Sequence, residues 1–573
     1  MRKSPAPRAS SGGVEGVTAG RLCEAVERGD LPAVREMLRR RPEIVNLEWP
    51  DHGEERPIHV AVLRRNASMV RLLMKNGADA RRGIWPNRDA TSAYTMASDR
   101  GDGEIVAMIE KEEQRRGARL RTSEEDVRHD PRDVVSGDQI EVIARLEANP
   151  ALIHLCDPEG WTPLHYAAGM LRTRVVQCLL EHGAEVNRKA RGDWTPLDFA
   201  ASGAAWDKTG GAERFAIVAR VLLRGGAELT AMSAVALGQG GWVRARHAKG
   251  ALVNAVSWDA SGPFSGLLST AVTHDRPEML ALLLELGLDP NERVRVEGTE
   301  ETLYSWGMPL YRCARAGKLA TAQMLLERGA DPNGQVYASG SPIFVAYREK
   351  DRGMVRLLES YGGALDAASV GYLRQTELAR KMLSGEADPR LEYGMFSGQT
   401  AAEQLLWSGG SGGDPEIVEM ALQRIDWRRD DPRWFWMLWR PLPGHSPRPE
   451  PDRKLYLACF RRVLGRCDPN LRAANFGQTM LHEVIARDQQ EGMGFARLLL
   501  DAGARTDLRD DLLNSTPLGW ACRWGRTELV KLLLERGADP VEADAEPWAT
   551  PGAWAEKMGH HEAAALLRAG TKS

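Results

Sequence analysis

The chain has no apolar run as long as 18 residues, which excludes a membrane-spanning helix of ordinary length. Its first residues, Met1 to Gly13, are rich in Ser, Pro and Arg and lack the apolar stretch of a secretory signal. A cytoplasmic protein is therefore expected, with residues 1–18 too polar to pack and forming a disordered leader. Charge of one sign is also lacking. A formal net charge of −3 over 573 residues leaves no basic field for a nucleic-acid backbone, so neither nucleic acid nor membrane is an expected partner. The seven cysteines, Cys23, Cys156, Cys178, Cys313, Cys459, Cys467 and Cys522, form no C-x-x-C pair and no zinc-like spacing, and are read as reduced core residues. Equally absent are the G-x-x-x-x-G-K-[ST] phosphate cradle, H-E-x-x-H and the G-x-S-x-G nucleophile elbow. No catalytic residue, metal site or cofactor is implied, and an enzyme is not expected.

What the chain does have is repetition. Thr162-Pro163-Leu164 recurs as Thr195-Pro196-Leu197 after 33 residues, and Thr516-Pro517-Leu518 is followed by Thr550-Pro551 after 34. Looser copies begin at Arg56-Pro57, Met308-Pro309, Ser341-Pro342 and Thr479-Met480. Threonine can cap a helix whose first position is proline, because proline's φ is preset and its missing N–H would have no partner there anyway. A second signal closes each unit: Gly77-Ala78-Asp79, Gly183-Ala184-Glu185, Gly226-Ala227-Glu228, Gly287-Leu288-Asp289, Gly329-Ala330-Asp331, Gly503-Ala504 and Gly537-Ala538-Asp539. Glycine after an apolar run suits the left-handed residue that ends a helix.

These residues resemble the ankyrin repeat, with its T-P-L-H-x-A pattern and period near 33 residues. The resemblance implies an all-α fold, a right-handed α-solenoid of about 14 to 16 helix-turn-helix repeats with β-turn fingers, of the long bacterial multi-repeat type. Gly29-Asp30, Val34, Leu38 and Pro42 recur as Gly137-Asp138, Val142, Leu146 and Pro150, all displaced by 108, as if an array opened twice. The expected organisation is a leader at 1–18, repeats at 19–115, a charged spacer at 116–131, central repeats at 132–425, a Trp/Pro-rich irregular segment at 426–454, and C-terminal repeats with a cap at 455–573. Insertions at Ser202 to Glu213, Gly238 to Phe264 and Arg293 to Trp306 are expected in loops. Helix signals lie near Glu377 to Leu383 and Glu416 to Ile425, with a flexible loop expected at Ser408 to Gly413.

The resemblance gives His59, His165 and His482 a structural role, a hydrogen bond between neighbouring units, and not a ligand's role. His560 and His561 are adjacent on a helix and point apart, which is poor metal geometry. The same resemblance implies a non-enzymatic scaffold or adaptor that binds a protein partner along a concave groove. Mapped onto this sequence, the partner-binding candidates are Glu159, Trp161, Asp193 and Trp194 in fingers, Tyr304 and Trp306 in an enlarged finger, and Met170, Arg315, Arg523 and Trp524 at helix ends. Trp, Tyr and Arg are the residues that most often dominate binding energies. On this reading Trp161 and Trp194 contribute to capture without being needed for folding. Two alternatives stand beside it: an enzyme or small-molecule binder with a pocket built from the insertions and the Trp434 to Trp439 segment, and an inhibitor or immunity-type protein for a partner enzyme.

Overall fold

The computed structural model describes residues 17–49, 54–84, 87–120, 131–157, 160–204, 210–252, 266–295, 304–336, 339–390, 398–443, 452–474, 476–487 and 489–570. Most of the expected leader, residues 121–130 of the charged spacer and parts of the three insertions lie outside these residues. Among the described residues the fold is all-helical except for one antiparallel pair, Val294–Arg295 with Tyr304–Ser305. The chain forms two compact units, one from residues 121–365 and the other from 1–120 together with 366–573. The second boundary falls inside the stretch expected as a single central array. The helix Gly103–Leu120 runs past the expected edge of the first group into the spacer.

Each unit is built from short helix pairs, and Pro163–Gly169 with Thr173–Glu181 shows how the sequence makes one. Thr162, extended at φ −111°, caps the first helix by accepting from the His165 amide, and Pro163 occupies the first turn. Val175, Val176 and Leu179 bury one face of the second helix. Each fully buried aliphatic side chain contributes about 1.5–3 kcal/mol. Gly183, at φ +87°, ends that helix: its amide donates to the Leu180 carbonyl and the Ala184 amide to Leu179, satisfying carbonyls the helix would leave bare.

Consecutive repeats are tied by a device the sequence reading did not single out. The Asn187 side chain donates to the Gly226 carbonyl at 2.9 Å and accepts from the Glu228 amide at 2.9 Å. Asn46, Asn291, Asn333 and Asn470 make the same two bonds to the next closing turn. Where a cap is missing, a neighbour supplies it. Gly266 stands where threonine is expected before Leu267–Thr273, and the Glu292 carboxylate from the following finger accepts from the Leu268 and Ser269 amides instead. A Cβ at 266 would lie 2.3 Å from that carboxylate, so the missing side chain makes room for the borrowed cap.

Two expectations are corrected. Ser408 to Gly413 is not a loop: the helix Ala401–Gly412 runs through it, with Gly413 at φ +69° ending it. Its glycines allow a close crossing with Ala367–Tyr372, since a Cβ on Gly371 would meet Ser408 Oγ at 2.0 Å and one on Gly412 the Gly371 carbonyl at 2.5 Å. The Trp-rich segment is likewise regular, forming the helix Arg433–Trp439 with Trp434, Phe435, Met437, Leu438 and Trp439 buried and Trp436 on the surface. The insertion at 238 to 264 also begins as an ordinary helix, Gly240–Ala248.

Candidate functional site

The residues expected to grip a partner divide sharply by exposure. Trp161 is 3% exposed and Trp194 6%. The Trp161 indole lies 4.8 Å from the Phe199 ring and meets His165 edge-on at 5.4 Å. The Trp194 carbonyl accepts from His165 Nε2 at 3.2 Å and from the Ala190 amide at 2.8 Å. Both tryptophans therefore pack the core between neighbouring fingers, which corrects their expected place on an open face. Trp306 is half-buried, its indole N–H directed at Asp331. Tyr304 pairs through its backbone with Arg295 in the two-residue ladder. Asp193 is exposed beside Lys189, and Glu159 lies outside the described residues.

Exposed side chains do occur at the far ends of the first helices. Met170, which caps the C-terminus of Pro163–Gly169, is 39% exposed. Arg315 is exposed in the last turn of Met308–Ala316. Arg348, which the sequence reading passed over, is exposed in the last turn of Pro342–Arg348. Arg315 and Arg348 each stand six residues after the repeat proline, at Pro309 and Pro342. That offset is the signal that would have found Arg348. Arg348 pairs with Glu349 at 2.9 Å, an exposed contact worth about 0–1 kcal/mol and so readily exchanged for another carboxylate.

The same offset from Pro517 and Pro551 gives Arg523 and Lys557, on consecutive repeats of the other unit. Here the position is occupied. Arg523, only 4% exposed, donates to Asp99 Oδ2 at 3.0 Å, and Lys557 meets Asp99 Oδ1 at 2.9 Å. The Arg523 guanidinium lies 5.0 Å from the Trp554 ring and 5.2 Å from that of Trp524, itself half-buried. Expected as an open anchor, Arg523 is thus spoken for within the chain. Two basic side chains at one repeat position, on adjacent helices, can hold one carboxylate between them.

The repeat histidines act structurally. His165 Nδ1 faces the Thr162 amide at 3.1 Å, so it accepts, and the ring proton on Nε2 donates to Trp194 in the next repeat. His59 and His482 repeat the arrangement toward Arg82 and Ser515. Desolvation pushes these rings down, to about 4 for His59 and His165 and about 3 for His482. The unfolded chain takes up these protons near pH 6.5 and the folded chain only near pH 3–4, so this stabilisation is full above 6.5 and is lost as pH falls through that window. Glu542 and Glu55, raised by desolvation to about 6 and about 8, act in the opposite sense. His482→Gln is therefore expected to lower the melting midpoint at pH 7 and to flatten its decline between pH 6.5 and 4 relative to the native chain. An unchanged slope would remove the histidine from the acid response.

Among the described residues no group of three or more His, Cys, Asp or Glu is placed to hold a metal, and no helix is long and apolar enough to cross a membrane. Among the described residues no disulfide joins the seven cysteines, and burial raises the Cys313, Cys459, Cys467 and Cys522 thiols to about 12. One open depression of about 510 Å³ is lined by Arg428, Arg429, Asp430, Asp468 and Pro469, none of which belongs to an insertion.

Paired helices with turn fingers, stacked through inter-repeat hydrogen bonds, define a helical repeat solenoid. A family profile for ankyrin repeats in three copies matches residues 134–230 and 453–544, so these two spans carry ankyrin repeats. The ankyrin repeat protein nuc-2 of Neurospora crassa is similar at 27% identity over 190 residues, covering 33% of this chain and 14% of that protein, so the chain spans only a small part of that relative's length. The crystal structure of the human ASB11 ankyrin repeat domain is similar at 21% identity, covering 39% of this chain and 80% of that one, with a TM-score of 0.21. Ankyrin repeats are in general protein–protein interaction modules.

Proposed function

We propose that the chain is a non-enzymatic binding protein whose unit at 121–365 holds a partner protein across the last turns of its first helices. Arg315 and Arg348 receive an acidic side chain of that partner, and Met170 supplies an apolar contact further along the unit. The observation that carries this reading is positional: the equivalent pair, Arg523 and Lys557, grips a carboxylate in the other unit. Rigid helix ends lose little freedom on binding, so a few such anchors can convert contact into affinity. An acceptor carboxylate desolvated between two cations forms charge-assisted hydrogen bonds, about twice as strong as neutral ones.

Affinity capture with the whole chain as bait, repeated with Arg315→Glu and Arg348→Glu together, tests it. At least about a tenfold loss of partner recovery is expected, as truncating interface hot spots gives, with helical circular dichroism and melting midpoint unchanged because both side chains are exposed. Equal recovery by the double variant would sink the proposed face.

A further inference from the structure

Asp99 sits badly in its own helix. It is the last residue of Ala93–Asp99, where the helix dipole disfavours negative charge, and it is buried, where an unpaired carboxylate is costly. Both penalties are answered from the far end of the chain, by Arg523 across a sequence separation of 424 residues and by Lys557. Lys557 also donates to the Ser98 carbonyl at 3.1 Å, which accepts from the Gly101 amide as well. Next to it, the Arg100 guanidinium donates to the Leu512 carbonyl at 2.8 Å and lies 5.7 Å over the Trp548 ring. Three consecutive residues at a helix end thus meet two fingers and two helix ends of the last repeats. A local choice that is unfavourable by itself and satisfied only across this contact marks a recognition element and not a packing accident.

We propose that the last repeats carry a docking surface, formed by Arg523, Trp554 and Lys557 with the Leu512 carbonyl, whose occupant is the chain's own first repeats, held through the Ser98-Asp99-Arg100 corner as a separable module. The surface selects a helix end that presents a carboxylate together with an accessible backbone carbonyl. It goes beyond the partner face at Arg315 and Arg348, which lies on the other unit and does not depend on it.

The test uses the full chain with a protease site placed between Leu120 and Pro131 and cut after purification, so that only non-covalent contact joins the two pieces. The native pieces are expected to stay together on gel filtration at micromolar concentration. Asp99→Ala is expected to weaken the association by about a hundredfold or more, the consequence of leaving the buried Arg523 guanidinium without its carboxylate, and Arg523→Ala to weaken it less, because Lys557 still meets Asp99. The double variant is expected to be little weaker than Asp99→Ala alone, because the two residues act on each other. Asp99→Asn, which keeps the shape and one acceptor, replaces Asp99→Ala if that variant loses helical signal, and is expected to weaken association as well. Native pieces that separate freely after cutting, or single variants that hold as tightly as the native chain, would overturn the proposal. Neither result bears on partner capture through Arg315 and Arg348.

Discussion

Replacing Trp161 by alanine is expected to lower the unfolding free energy of the repeats around 134–230 by about 3–5 kcal/mol, the range for deleting a buried aromatic side chain. The indole fills the space between one finger and the next first helix, packing on Phe199 and His165, and its removal leaves a cavity there. Because each repeat packs only on its neighbours, the damage should stay local. Hydrogen exchange should speed up in 160–204 while the repeats of the other unit keep their protection. Partner capture falls too, but through lost structure. The discriminating comparison is Arg315→Glu with Arg348→Glu, which should leave protection intact. A Trp161→Ala chain with native exchange rates would return the tryptophan to the binding face.

What could be read in advance follows from how local each instruction is. Thr162, Pro163 and His165 act within one turn, and Gly183 within one helix end, so their spacing alone gave the helix pairs and the histidine bonds. Ser408 to Gly413 misled because glycine's low helix propensity is a local fact, whereas the close crossing that rewards small residues depends on Gly371, some 40 residues away. Glu292 could not be recognised as a cap because it serves a helix in the preceding repeat. Exposure misled in the same way: an aromatic finger residue looks alike in sequence whether it faces solvent, like none of the tryptophans at 161 and 194, or the next finger, as both do. The Asp99–Arg523 pair was illegible for the strongest reason, since nothing in the repeat pattern joins residues so far apart. The offset of six from the repeat proline was legible and unused.

Asp510→Ala is expected to be comparably damaging, costing about 4 kcal/mol or more. Asp510 is buried, and its carboxylate accepts from the amides of Leu512 at 2.9 Å, Leu513 at 2.6 Å and Ser515 at 3.0 Å and from the Trp520 indole at 2.9 Å. Each buried donor left without an acceptor costs about 1–3 kcal/mol, reduced where water can enter. The loop it shapes serves both neighbours: the Ser515 carbonyl receives His482 Nε2, and its hydroxyl receives the Trp554 indole at 2.7 Å while donating to Ala549. Asparagine should rescue little, because its NH2 group would face amide donors where the carboxylate presents only acceptors. The same loop offers the Leu512 carbonyl to Arg100, so in the cut chain Asp510→Asn should also loosen the docked first repeats. Urea denaturation followed by tryptophan fluorescence, with 455–573 holding Trp520, Trp524, Trp548 and Trp554, measures the first effect. A loss under about 1 kcal/mol for alanine, or full recovery with asparagine, would mean that the loop is held by its packing and not by an acceptor-only side chain at its centre.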